Sequence, residues 1–119
     1  MDTKKAIHLF QYSEKLKSEL IIASKMLTTL TEVNQEEERR GAEKMMISYL
    51  NGVISEIRIA QALEMSINFL GAEKKVLEAA GRIRLNQYSE AAYSISEALS
   101  HATTSCQRTL QFLIDQGLA

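Results

Sequence analysis

No proline occurs in the 119 residues of this chain. An average composition of about 5% would have supplied roughly six. Proline removes an intrahelical hydrogen bond and clashes with the turn before it, so its absence suits long unbroken helices. The apolar spacing agrees. After Asp2 or Thr3 as N-cap, Leu9, Leu16, Leu20, Ala23, Leu27 and Leu30 fall on one helical stripe, with only Ser13 out of pattern, and Lys15, Lys17, Glu19 and Lys25 lie on the far side. This predicts a helix over about 3–32. Asn34 and Glu37 approximate a capping box, and Glu36, Glu37 and Glu38 place negative charge in a first turn. The stripe Ala42, Met46, Tyr49, Val53, Ala60, Leu63, Ile67, Leu70, widened by Leu50, Ile54 and Ile57, predicts a second helix over about 35–70, ended by Gly71. Val76, Leu77, Ala80 and Ile83 predict a short third helix over 72–85, with a turn at Asn86 and Gln87. Ala92, Ile95, Leu99, Ala102, Cys106, Thr109 and Leu113 predict a fourth over 89–116, closed by Gly117. Period-two alternation and Asn-Gly or Asp-Gly hairpin turns are absent.

Four helices joined by short connections imply an all-α antiparallel up-and-down bundle in one domain, residues 1–119. The hydrophobic share of 45% and charged share of 24% are those of a globular chain. The expected helix lengths are unequal: at 1.5 Å per residue the second is about 54 Å long and the third about 21 Å. The surface left uncovered is expected either to close by a bend near Gly41 or Gly52 or to pair with a second copy. A homodimer, with Met46, Leu50, Val53 and Ile57 at the interface, is the expectation. With 14 basic and 15 acidic side chains, the chain lacks the basic excess that non-specific nucleic-acid binding draws on. No apolar run approaches the ~18 residues of a membrane span, Ile7 to Tyr12 is too short for a signal peptide, and a lone Cys forms no internal disulfide. A cytoplasmic protein without a membrane partner is therefore expected.

The densest polar cluster, Glu36 to Lys44, offers Glu37, Arg40, Glu43 and Lys44, with Glu56 further along, as a site for a phosphorylated small molecule. The pairs Glu36 with Arg40 and Arg39 with Glu43 equally describe a solvated helix start, and no Glu-x-x-Asp supplies a second carboxylate pair. Glu56 and Glu64 border the apolar stripe of the second helix. Glu97 and His101 offer two metal ligands, which do not close a site. Cys106 falls on a core stripe, away from any helix N-terminus or activating His. Lys74, Lys75, Arg82 and Arg84 gather on helix three, interrupted by Glu73 and Glu78 and without interleaved aromatics. Met26, Met45, Met46 and Met65 suit an adaptable groove or a gap-filling core. With no Gly-rich phosphate loop, Ser elbow or His-Glu-x-x-His, neither a metal nor a cofactor is expected, nor a catalytic centre.

Residues 72–103 resemble one tetratricopeptide hairpin at Ala79, Tyr88, Ala91, Ile95, Ala98 and Leu99. Lys75, Glu78 and Arg82 stand where that motif has large apolar residues, Thr103 replaces its closing Pro, and its ~34-residue period does not recur. Size and helical content are similar to the HEPN group of toxin–antitoxin systems, whose catalytic Arg with a His five to seven residues on has no counterpart around His8 or His101. Any such membership implies a non-catalytic member. The expected function is a non-enzymatic homodimeric module of protein–protein interaction or regulation. The alternatives are a binder or hydrolase of a phosphorylated small molecule and a non-catalytic HEPN-like protein.

Overall fold

The computed structural model describes residues 1–119 as four helices without strands: α1 (Thr3–Thr31), α2 (Glu36–Leu63), α3 (Ile67–Arg84) and α4 (Tyr88–Asp115). Each helix packs its backbone closely on the next in sequence, and α4 returns to α1; across the diagonals only side chains meet, as where the Tyr88 hydroxyl of α4 reaches Glu43 of α2. The helices thus run up and down around a ring, in a bundle 54 Å long. Side-chain pairs show the antiparallel register: Lys15 with Glu56 and Lys5 with Glu64 across α1 and α2, Arg58 with Glu73 across α2 and α3, Lys75 with Glu97 across α3 and α4. Ser13 and Ser105 meet across α1 and α4.

The expected boundaries of α1 and α4 agree with the structure, and those between α2 and α3 do not. The chain leaves α2 after Leu63, and α3 begins at Ile67 rather than Ala72. Ser66 makes the break. It has extended backbone, its hydroxyl accepts from the Phe69 N–H at 3.3 Å, and its own N–H donates to Gln61 Oε1 at 2.7 Å. Two donors at the break are satisfied by this local exchange, which is what an N-cap provides. Periodicity missed it because Ala60, Leu63, Ile67 and Leu70 keep helical spacing across the break. Gly71 accordingly ends nothing. It lies inside α3 with the His101 ring against it, and a Cβ there would come within 2.9 Å of the ring's Cε1, Nε2 and Nδ1. Nor does α2 break at Gly41 or Gly52, through which it runs as one continuous helix. At its start no side chain caps the helix; Arg39 instead donates back to the Val33 and Asn34 carbonyls.

One core of 22 buried residues runs through the bundle. α4 contributes mainly small side chains to the interior: Ala91, Ser94, Ala98, Ala102 and Ser105. Small residues let helix backbones approach closely, and this explains Ser13. Its hydroxyl donates to the Leu9 carbonyl at 2.7 Å and meets the Ser105 hydroxyl at 2.7 Å, so the residue that breaks the apolar stripe is a buried, hydrogen-bonded contact point. Moving the break to Ser66 lengthens α3 to 18 residues, about 27 Å against about 42 Å for α2. α3 therefore covers more of α2 than expected. Met46, Leu50, Val53 and Ile57, expected at a dimer interface, are at most 2% exposed within the chain's own core.

Candidate functional site

Midway along the α1–α2 seam, four polar side chains converge. Lys15 and Glu19 stand one turn apart on α1, Tyr49 and Glu56 two turns apart on α2. Lys15 Nζ pairs with Glu56 Oε1 at 3.0 Å, and the Tyr49 hydroxyl donates to the Glu19 backbone carbonyl at 3.1 Å. Glu19 lies deeper. Its Oε1 is buried without a hydrogen-bond partner, so an ionised carboxylate would leave that oxygen unpaired in a medium of low polarity. Burial, reinforced by the Glu56 carboxylate, pushes the Glu19 carboxyl up to about 7. Glu56 moves the other way, held down by hydrogen bonding from Glu19 and by the Lys15 ammonium. The resulting arrangement, one protonated and one ionised carboxyl, is the kind that acid–base enzymes use. Here the adjoining hollow between Tyr12, Leu16, Glu56, Ile57 and Phe69 measures about 10 Å³, which is room for no more than a single water. What the pair can do is store a proton under the seam.

The other sequence candidates are dispersed. Arg40 pairs with Glu36 on the helix surface, while Glu37 and Lys44 are exposed. Glu43 turns inward and accepts from the Tyr88 hydroxyl, whose pKa rises to about 12 through burial and that bond. Glu56 lies thirteen residues beyond Glu43, about 20 Å along α2, so it belongs to the seam and not to the helix start. Glu64 pairs with Lys5. Glu97 is drawn to Lys75 at 3.1 Å while His101 Nδ1 faces Asn68 Oδ1 at 3.4 Å, which separates the expected ligand pair. No group of three His, Cys, Asp or Glu is placed to hold a metal ion. On α3, Lys75 and Arg82 both bind Glu78, which neutralises much of the basic face. Cys106 is buried beside Glu14, and burial raises its thiol to about 11.

The surface feature that sequence reasoning missed surrounds the α2–α3 turn. Ile59, Leu63, Met65, Ile67 and Leu70 are 55%, 53%, 76%, 78% and 43% exposed. Ile59 and Leu63 are one turn apart on α2, Ile67 and Leu70 one turn apart on α3, and Met65 lies between them. Leu63 lines a groove against α1, while Met65 and Ile67 line a second one against α4; Leu9 and Glu64 belong to both. The five thus gather around one end of the bundle, and they are called the ridge below. Spacing alone assigned Leu63, Ile67 and Leu70 to the core; with the break at Ser66, Ile67 and Leu70 belong to the first turn of α3, and all three are exposed. No helix is long and apolar enough to cross a membrane. No family model, curated protein or solved structure matches the chain.

Proposed function

We propose that this chain is a non-enzymatic interaction module of the cytoplasm that pairs with a second copy of itself through the ridge at the α2–α3 turn. The observation that carries the reading is that ridge: five large apolar side chains, each 43–78% exposed, within twelve consecutive residues. A concentration of exposed large apolar side chains at one end of a small domain marks an association site, and a two-fold axis lets one such surface serve both partners. The lone Cys, buried and with its thiol pKa raised to about 11, suits a reducing compartment.

Light scattering coupled to size-exclusion chromatography tests it. At about 100 µM chain, where a micromolar Kd gives mostly complex, the expected mass is twice 13.4 kDa. Ile67→Asp should return it to 13.4 kDa with unchanged helical circular dichroism, because Ile67 is exposed and its replacement leaves the core intact. A wild-type monomer at that concentration, or a dimer indifferent to Ile67→Asp, overturns the proposal.

A further inference from the structure

The groove between the first turns of α1 and the last turn of α2 encloses about 370 Å³, within the range of small-molecule sites (~300–1,000 Å³). Leu9, Tyr12, Ala60 and Leu63 give it apolar walls, and Lys4, Lys5 and His8 stand among its polar lining. The acids at this end are already engaged. Asp2 Oδ1 accepts from the Lys5 backbone N–H at 2.8 Å, and Glu64 Oε2 pairs with Lys5 Nζ at 3.5 Å. The donors are free: the Lys4 ammonium, the His8 imidazole and the Tyr12 hydroxyl make no side-chain hydrogen bond or ion pair within the chain. Convergent unpaired donors beside apolar walls complement an anion that carries an apolar body.

We infer that this groove binds a small amphiphilic carboxylate, its head group held by Lys4 and His8 and its tail laid against Leu9 and Leu63. An anion without a tail leaves the apolar walls in water, and a tail without charge leaves the donors unpaired, so each half alone binds weakly.

The test is a titration of ¹⁵N-labelled protein with octanoate, followed by amide shifts, with acetate and octanol as controls. Saturable shifts are expected at Lys4, Lys5, His8, Leu9 and Leu63, with acetate and octanol each binding at least about tenfold more weakly. Lys4→Glu, at an exposed position, should weaken octanoate by about tenfold or more while leaving the spectrum of the folded bundle intact. Ile67→Asp lies outside the groove and should retain octanoate binding, which separates this inference from the self-association reading. Absence of saturable shifts, equal binding of octanol, or unchanged affinity in Lys4→Glu overturns it.

Discussion

Glu19 holds its proton across a pH range in which the unfolded chain has released it. The carboxyl stands at 4.5 in its unperturbed form and at about 7 in the bundle, so between these values the folded state binds more protons than the unfolded. Stability from this group is fully present below about pH 4.5, falls as pH rises, and levels off above pH 7. Glu56, shifted down, acts in the opposite sense at the acid end, where its contribution is lost as pH falls. Glu19→Gln keeps the shape of the protonated acid and removes its titration. It should raise stability at about pH 8 by on the order of 1 kcal/mol and leave it nearly unchanged at about pH 5. Urea midpoints at the two pH values measure this, and a variant that tracks the wild type at both contradicts the assignment. Glu56 was legible as a carboxylate at the margin of an apolar stripe. Glu19 was not, because its own helix places it on the polar side, and burial comes only from α2 leaning over it. Ser13 is the same lesson reversed: an apparent defect in α1 is a fit to α4.

At the scale of elements, caps and glycines decide more than stripes do. The number of helices, their order and the outer boundaries of α1 and α4 could be read from spacing, because a 3.6-residue period survives wherever one face is buried. The α2–α3 break could not, since the same spacing continues across it and the Ser66 cap occupies a single residue. Glycines within these helices differ by surroundings. At Gly41 and Gly52 a Cβ meets nothing within 4 Å, and neither residue has a positive φ. Alanine at either should therefore stabilise by about 0.5–1 kcal/mol through helix propensity. Gly71→Ala must displace the His101 ring and break its contact with Asn68, so it should gain less than either or lose stability. Thermal midpoints of the three variants rank them; Gly71→Ala as stabilising as Gly52→Ala would show that the His101 position is of no consequence.

At the scale of the molecule, the ring of contacts leaves no central partner: each helix has two neighbours and the interior is shared. α1 and α4 are nearly equal in length, 29 and 28 residues, whereas α3 has 18, so the bundle is not covered evenly along its length. Both proposed surfaces, the ridge and the groove, lie at the end where α2 gives way to α3. Three of the four seams join helices consecutive in the chain. The fourth, α1 with α4, brings together segments 92 positions apart at Ser13 and Ser105, and its antiparallel register sets the first turn of α1 beside the last turn of α4. A short linker joining those two turns, with the chain reopened between Thr31 and Glu36, would convert this distant closure into a hairpin between neighbours. Such a circular permutant should reach the same helical content by circular dichroism and unfold in one cooperative step. That result would make the order in which the helices are synthesised incidental to the bundle and place the identity of the fold in the four seams.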